Sequence, residues 1–345
     1  MDDHPPQAPL AYRSLLGPLS DDPDLWQEVQ GRRDLSDGRD GAVYAIGDEL
    51  RLVVDVALAT GRPLLLRGEP RSGKSSLAAY IARNLGWRYY EHVVTSTTTA
   101  EDLLWRFDAV RRLSDAQAQR RLVDAAYVEP GVLWWVIDPD SAALRGSAVP
   151  VTDPAVEPYA ELNAQRRQGH AIVLIDELDK ADPDVPNGLL VPLGSWAFTV
   201  AETGIRVDGA TFEQRLGRKA GIGAGGRLLV VITTNEERQL PPALLRRCVV
   251  HAIPVPDVPT LERIATLHVH GPAGGEPTAA DQVLFHDVAI RLHKVRAELA
   301  GQERLPSTAE YLDAVRACRE LRVTPDDQDR TWQWLERVTL TKPAR

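Results

Sequence analysis

The chain has 345 residues, of which 43% are hydrophobic and 26% are charged, and its net charge is −9. This composition is ordinary for a soluble globular protein of roughly two domains, and the acidic balance argues against nucleic acid as a partner. No apolar run approaches the length of a membrane span and the first residues do not resemble a signal peptide, so no membrane partner is expected. Cys248 and Cys318 have neither metal-ligand spacing nor a disulfide pattern, which favours a cytoplasmic protein.

The first part of the chain is predicted to be an arm that leads into a helix. Residues 1–40 are rich in proline and aspartate, which predicts a loosely ordered arm with a short helix near residues 25–30. Residues 48–60 carry apolar side chains at helical spacing, and Gly61 follows where a helix would end.

A glycine-rich motif of the form G-x-x-x-x-G-K-S occupies residues 68–75, between a predicted strand at 63–67 and a predicted helix at 75–85. In this motif, backbone N–H groups surround phosphate oxygens, Lys74 adds a positive charge and Ser75 offers a hydroxyl to Mg²⁺. The alternative is a chance glycine-rich turn, which the strand–loop–helix context disfavours. The predicted phosphate site consists of Gly68, Glu69, Pro70, Arg71, Ser72, Gly73, Lys74, Ser75 and Ser76.

Short apolar runs predict a parallel sheet. Residues 89–94, 171–175 and 228–234 are predicted strands in addition to 63–67, and helical segments alternate with them. This alternation predicts an α/β fold with a doubly wound, mostly parallel sheet, in which ligands bind at the carboxyl ends of the strands.

Between the strands, a helix is predicted from about Glu101, and residues 102–141 are read as an insertion with helical segments. The paired Trp134 and Trp135 are interpreted as core or hairpin packing rather than a ligand cage. Pro192 is expected to kink the helix that follows the acidic strand end.

Polar side chains stand at two of the strand ends. Asp176 and Glu177 directly follow the strand at 171–175, and Asn235 follows the strand at 228–234. One carboxylate can hold Mg²⁺ and the second can take a proton from a water aimed at the γ-phosphate, while an amide can hold that water. A solvated acidic turn is the alternative, and Asn235 alone would be read as a turn residue.

Arg246 and Arg247 follow a short predicted helix that begins near Pro241. A guanidinium from a neighbouring subunit can stabilise the charge that develops during phosphoryl transfer, although a basic helix end gives the same pattern. Residues 211–227 are glycine-rich and basic, and they fit either a flexible insertion or a substrate-gripping loop.

From residue 257 the pattern becomes helical. Segments near 260–270, 279–300, 307–321 and 324–340 have helical spacing, and Ser307 and Thr324 are placed as N-caps. We expect an α/β nucleotide-binding domain over 41–256, followed by a small all-α lid domain over 257–345.

Together these parts resemble the AAA+ ATPases, and in finer detail their MoxR-like branch, over about residues 41–322. Residues 68–75 match the phosphate loop of that family, 174–182 its acidic strand and 199–204 its hairpin. Two further segments, 244–248 and 304–313, are similar to MoxR proteins tied to carbon-monoxide-dehydrogenase maturation.

The resemblance implies a role for each matching residue. Lys74 and Ser75 would bind ATP and Mg²⁺, Asp176 would help to hold Mg²⁺ and Glu177 would activate water. Asn235 would be the sensor-one residue, Arg247 with Arg246 beside it the trans-acting finger, and Arg304 the nearest candidate for the lid arginine, with Arg316 and Arg319 as alternatives. The segment around Ile46 would contact the adenine base.

The resemblance also implies an ATP-dependent homo-oligomer, usually a hexameric ring, that remodels a partner protein such as a von Willebrand A domain protein. Two other functions stay open at this stage. One is a slow nucleotide-gated regulatory switch of a defence or signalling system, and the other is a DNA-associated NTPase similar to the McrB group.

Overall fold

The computed structural model describes residues 12, 14–16, 41–147, 153–210, 228–271, 276–302 and 304–341. The short helix expected near residues 25–30 and the glycine-rich stretch 211–227 lie outside these residues. Within the described part of the chain, no helix combines the length and the apolar character that crossing a bilayer requires.

In the described residues, strands and helices alternate from residue 48 to residue 252, and only helices follow. The strands are β1 (Leu64–Arg67), β2 (Trp87–Val93), β3 (Trp105–Phe107), β4 (Val128–Pro130), β5 (Arg167–Asp176), β6 (Ala197–Thr199), β7 (Arg206–Asp208), β8 (Leu228–Thr234) and β9 (Val249–Ala252). The helices up to β9 are α1 (Asp48–Thr60), α2 (Lys74–Leu85), α3 (Ala109–Gln117), α4 (Val132–Ile137), α5 (Pro139–Ala143), α6 (Ala160–Asn163), α7 (Asp184–Gly188), α8 (Leu190–Ser195) and α9 (Pro242–Leu245). The later helices are α10 (Val258–His270), α11 (Ala279–Glu298), α12 (Thr308–Leu321) and α13 (Arg330–Glu336).

The central sheet has the strand order β2-β5-β8-β1-β9. The β2–β5, β5–β8 and β8–β1 pairs are all parallel. Every residue of β8 is buried, so both faces of this strand are covered, as its unbroken apolar sequence predicts. The predicted α/β fold with a doubly wound, mostly parallel sheet is therefore confirmed, and the carboxyl ends of β1, β5 and β8 share one edge of it.

Two antiparallel hairpins accompany the sheet. β3 pairs with β4, and α3 lies in the connection between them, within the predicted insertion. β6 pairs with β7 at the predicted position of the second hairpin. The Phe198 ring of β6 stacks on Trp105 and meets Trp134 edge-on, with ring centroids 5.5 Å apart in both pairs. Trp134 and Trp135 are buried, so their interpretation as core residues is confirmed.

Two helix predictions fail at their starts. The helix expected from Glu101 is a single 3₁₀ turn over Glu101–Leu103, because the chain then pairs as β3 with β4. The last helix begins at Arg330 rather than near Thr324. Its N-cap is Asp329, which accepts a hydrogen bond from Thr331 N at 2.7 Å, while Asp326 accepts one from Gln328 N and forms a turn instead of a helix.

The helix that follows β5 is broken rather than gently kinked. α7 ends at Gly188 and α8 begins at Leu190, which leaves Pro192 in the first turn of α8. Proline has no N–H and its ring collides with the carbonyl four residues earlier, which here is that of Gly188. The break therefore lies one turn before the proline that causes it.

The contacts divide the chain into two compact units. The first contains residues 47–67 and 81–251 and holds the sheet. The second contains residues 41–46, 68–80 and 252–341, so it joins the phosphate-loop segment to the four later helices. The core of these helices is apolar and aromatic, and it includes Leu261, Phe285, Tyr311, Trp332 and Leu335.

Close packing at Gly131 yields a test of the fold. A Cβ atom at this position would lie 2.5 Å from the backbone carbonyl of Leu103, which cannot yield as a side chain could. We expect Gly131→Ala to destabilise the protein by about 1–3 kcal/mol, measured as a lower midpoint of urea unfolding. Gly194→Ala is the control, because that exposed helical position has open space and alanine there should stabilise by about 0.5–1 kcal/mol. Equal midpoints for both variants would contradict the packing described.

Candidate active site

The phosphate loop runs from Gly68, directly after β1, to the start of α2 at Lys74. Gly68 and Gly73 have φ angles of 142° and 88°, in the region that glycine tolerates. A Cβ on Gly68 would lie 2.9 Å from Ile253 O, so the loop needs glycine there for space as well as for conformation. The backbone is thus curled as the sequence motif predicts.

Lys74 lies inside this loop. Its side chain is 5% exposed, and Nζ donates hydrogen bonds to Gly68 O at 2.9 Å and to Glu69 O at 2.6 Å. The ammonium group is therefore held at the concave side of the curled backbone by the loop's own carbonyl groups. A buried cation in a cradle of this shape suits the phosphate groups of a nucleotide.

The segment before α1 packs on the same loop. A Cβ on Gly73 would lie 3.4 Å from the Tyr44 ring, whose centroid is 5.6 Å from that of Tyr80. Ile46 is buried and donates its N–H to Tyr44 O at 3.1 Å. Burial raises the pKa of Tyr44, so its ring remains a neutral packing element. The contact of Ile46 with a base stays a prediction.

Two ion pairs of opposite polarity join the phosphate loop to the later helices. Arg296, near the end of α11, donates to Glu69 Oε1 at 2.8 Å and to Pro306 O at 2.5 Å. Arg71 of the loop forms a short hydrogen bond with Glu310 of α12. Arg296 is 11% exposed and Glu310 is 4% exposed, so in each pair the residue from the later helices is the more buried partner.

Several arginines of the later helices are candidates for the lid arginine, and their contacts differ. Arg304 also pairs with Glu310, at 3.3 Å, and Arg319 pairs with Asp281. Arg296 contacts the phosphate loop directly, and it was not among the residues predicted from the sequence. Its partner Glu69 is 227 positions away in the chain, and no local pattern connects the two.

At the carboxyl end of β5, the two acidic residues are joined to β8 by a threonine. Thr233 donates its hydroxyl to Asp176 Oδ1 at 2.5 Å and accepts the backbone N–H of Glu177 at 2.8 Å. Glu177 has a left-handed conformation with φ of 60°, which turns the chain sharply out of the strand. One hydroxyl thus contacts both the Asp176 carboxylate and the backbone of Glu177.

The Glu177 carboxylate is held by a residue on each side. Asn235 Nδ2 donates to Oε1 at 3.1 Å, and Lys180 Nζ donates to Oε2 at 2.6 Å. The hydrogen bond with Glu177 raises the pKa of the Lys180 ammonium, against the opposing effect of burial. The structure therefore brings Glu177 and Asn235 together, and it adds Lys180, which was not among the residues predicted from the sequence.

Asp179 supports this arrangement through hydrogen bonds to the backbone of the turn that contains Asn235. It is 2% exposed, and its Oδ2 accepts the backbone N–H groups of Asn235 at 3.1 Å and Glu237 at 3.0 Å. These hydrogen bonds fix the turn that presents the Asn235 amide. In the sequence, Asp179 looks like one more acid in an acidic turn, so only its burial identifies it.

The two predicted finger residues lie at the end of α9. Arg246 and Arg247 are exposed, and Arg247 Nη1 donates to Ala243 O at 3.3 Å. Leu244 and Cys248 are buried on the opposite side of the same turn. Burial raises the pKa of the Cys248 thiol to about 11, so this cysteine is a packing residue rather than a reactive one.

A protein family matches the part of the chain that contains Lys74, Glu177 and Asn235. Residues 63–248, more than half of the chain, match the family described as AAA domain (dynein-related subfamily). The chain belongs to this AAA family, whose members are nucleotide-binding ATPases. No curated protein sequence matches the chain.

Solved structures are similar at low identity. A RuvB mutant from Thermotoga maritima is 14% identical, with 85% of this chain and 70% of that chain covered and a TM-score of 0.42. A putative ATPase from Cytophaga hutchinsonii is 15% identical, with 86% and 75% covered and a TM-score of 0.39. Domain III of the replication initiation protein DnaA from Thermotoga maritima is 13% identical, with 90% and 99% covered and a TM-score of 0.42.

The role of Asp179 can be tested by removing its charge. In Asp179→Asn, an amide replaces the carboxylate that holds the Asn235 turn, and we expect kcat for ATP hydrolysis to fall about 10- to 100-fold with little change in nucleotide affinity. Asp182→Asn, at a nearby exposed position, is the matched control. A parallel loss in both variants, or no loss in either, would contradict the positioning role.

The contact between the loop and α11 can be tested by exchanging charges. Glu69→Arg and Arg296→Glu each place like charges together, and the double variant restores an ion pair of reversed polarity. A double-mutant cycle on thermal unfolding should give a coupling of about 1 kcal/mol. The exposed pair Lys294–Asp327, 3.9 Å apart, is the control and should show almost none. Additive effects at Glu69 and Arg296 would mean that their pair contributes nothing.

Proposed function

We propose that this protein hydrolyses ATP with Mg²⁺ as a MoxR-like AAA+ ATPase. The observation that carries the proposal is the buried Lys74 ammonium inside the curled phosphate loop of a chain that belongs to the AAA family. The remaining site residues extend this proposal to a mechanism, one role at a time.

In this proposal the loop residues 68–76 bind the phosphate groups. Lys74 exchanges the carbonyl groups that it now contacts for phosphate oxygens, which are stronger acceptors because they are charged. The Ser75 hydroxyl and the Asp176 carboxylate are the oxygen ligands that would hold Mg²⁺, which prefers such donors. When bound, Mg²⁺ neutralises charge on the phosphate oxygens.

Glu177 is the proposed general base. Its carboxylate takes a proton from a water molecule, and the Asn235 amide keeps the carboxylate oriented. Both carboxylate oxygens already accept a hydrogen bond, one from Asn235 and one from Lys180. Of these two bonds, the Lys180 bond lies on a partly exposed side, because that side chain is 40% exposed.

The lid contribution is proposed to come from an arginine of the second unit. Arg304 remains a candidate, and Arg296 joins it because it already contacts the phosphate loop.

We propose the domain boundary near residues 256–257, where Asp257 caps α10 by accepting the N–H of Thr260 at 2.9 Å.

We further propose a homo-oligomeric ring, in the manner of the MoxR-like branch, that remodels or activates a partner protein. A von Willebrand A domain protein is the partner class that the resemblance suggests. Arg246 or Arg247 would then complete the pocket of a neighbouring copy. The exposure of both side chains at the end of α9 supports this assignment.

A second candidate function is a slow nucleotide-gated switch. It is supported by the hydrogen bond between Lys180 and Glu177, because this ammonium group occupies the carboxylate that would act as the base. In this alternative the protein holds one nucleotide for long periods, and a partner stimulates turnover.

Two substitutions separate binding from hydrolysis. Lys74→Ala should abolish binding of a fluorescent ATP analogue, whereas Glu177→Gln should bind it and lose turnover about 100-fold or more. Glu320→Gln, on the exposed face of α12, is the control.

Specific ATPase activity should rise with protein concentration if the sites are shared between copies. Unchanged ATP turnover in both Lys74→Ala and Glu177→Gln would contradict the proposed hydrolysis of ATP.

A further inference from the structure

An arginine outside the predicted site binds the turn that carries the two candidate finger residues. Arg62 lies between α1 and β1. Its Nη2 donates to Arg246 O at 2.5 Å and to Cys248 O at 2.9 Å, and its Nε donates to Arg247 O at 3.0 Å. One guanidinium group therefore binds the carbonyl groups of three successive residues.

These carbonyl groups follow the end of α9, where backbone C=O groups have no N–H partner within the helix. A cation is also favoured at a helix carboxyl end. Only arginine offers several donors in a planar fork, whereas the three donors of a lysine all lie on one nitrogen.

A second contact braces the same turn. Val249 N donates to Pro63 O at 2.8 Å, next to Arg62 in the chain. Leu244 and Cys248 are buried, which fixes the inner side of the turn. The backbone of residues 246–249 is thus held by residues 62–63 and by the core, while the Arg246 and Arg247 side chains are exposed.

The position of this brace determines which nucleotide the finger can reach. Arg62 and Pro63 stand at the amino end of β1, whereas the phosphate loop follows its carboxyl end. The extended chain from Arg62 to Arg67 is about 16 Å long at ~3.3 Å per residue. A guanidinium has to lie within hydrogen-bond distance of the oxygens that it stabilises. An arginine held at the amino end of β1 is therefore suited to the pocket of another copy rather than its own.

We infer that Arg62 is the positioning residue of the arginine finger, which it holds in place so that Arg246 or Arg247 reaches the nucleotide bound by a second copy of this chain. The inference rests on the proposed function, because a finger matters only if nucleotide is hydrolysed in shared sites. Arg62 touches neither nucleotide nor water in this role. It acts through the backbone of residues 246–248.

The test mixes variants that are defective in different halves of a shared site. A Glu177→Gln subunit has an intact finger and an inactive pocket, while an Arg62→Gln subunit has an intact pocket and a displaced finger. The reference is the double variant Arg246→Ala, Arg247→Ala, and Arg62→Lys is the conservative variant. Arg263→Gln, an exposed arginine of α10, is the control. Each variant is assayed for ATPase activity alone and mixed with Glu177→Gln, and for binding of a fluorescent ATP analogue.

We expect Arg62→Gln alone to lose about 10- to 100-fold in specific activity and Arg62→Lys to lose nearly as much, because a shift of about 1 Å in a catalytic group can have such an effect. Nucleotide affinity should stay at the parental value. Mixing Arg62→Gln with Glu177→Gln should restore activity, as it should for the double arginine variant, and Arg263→Gln should behave as the parent.

Three results would overturn the inference or its foundation. Parental activity in Arg62→Gln would overturn the inference alone. So would a loss that Glu177→Gln fails to restore although it restores the double arginine variant, because Arg62 would then act on its own pocket or on folding. A parent without ATPase activity would overturn the proposed function, and the inference with it.

Discussion

The parallel register between β5 and β8 is the constraint on which the candidate active site depends. Ile175 pairs with Ile232, so the carboxyl ends of the two strands are level and Thr233 lies beside Asp176. A slip of one residue would turn every side chain of β8 to the opposite face of the sheet. The Thr233 hydroxyl would then lose both Asp176 and the N–H of Glu177. The register of β8, whose residues are all buried, thus places Thr233 in the candidate active site.

A chain of hydrogen bonds from Asp179 through Asn235 ends at Glu177. Asp179 holds the turn of Asn235, and the Asn235 amide holds the carboxylate of Glu177. Each hydrogen bond connects residues that are more than fifty positions apart, which makes the orientation of the carboxylate a property of the folded sheet. Lys180 differs, since it lies three residues from Glu177 and on a partly exposed side. It is the element of this network that can change without disturbing the fold.

Local sequence patterns predicted those parts of the protein that local physics determines. The phosphate loop, the strand that ends at Asp176 and the buried β8 follow from glycine content and apolar runs. The pattern was wrong where a local signal competes with a strand pairing further along the chain or with another local signal. Thr99 and Asp102 form reciprocal hydrogen bonds typical of a helix start, yet the chain turns into β3 because that strand pairs with β4. The N-cap of α13 is Asp329 rather than the predicted Thr324, because each of several aspartates can bind backbone N–H groups.

Residues whose roles depend on distant partners could not be found from the sequence. Arg62 is one of many arginines until its three carbonyl partners, 184 to 186 positions away, are known. Arg296 and Glu310 become notable only through Glu69 and Arg71. Asp179 could not be found from the sequence either, because it stands in a row of acidic residues. Only its burial in the structure distinguishes it from its solvated neighbours.

The two ion pairs of the phosphate loop have a consequence for how this protein can be recombined with its relatives. Glu69 and Arg71 occupy motif positions where any residue is allowed, yet here each has a fixed partner of opposite charge, Arg296 and Glu310. A chimera that took its helical region from another ATPase would leave Glu69 and Arg71 facing whatever charges that region carries. Loop and helices are in this sense a matched set that has to be inherited together, although they are far apart in the chain.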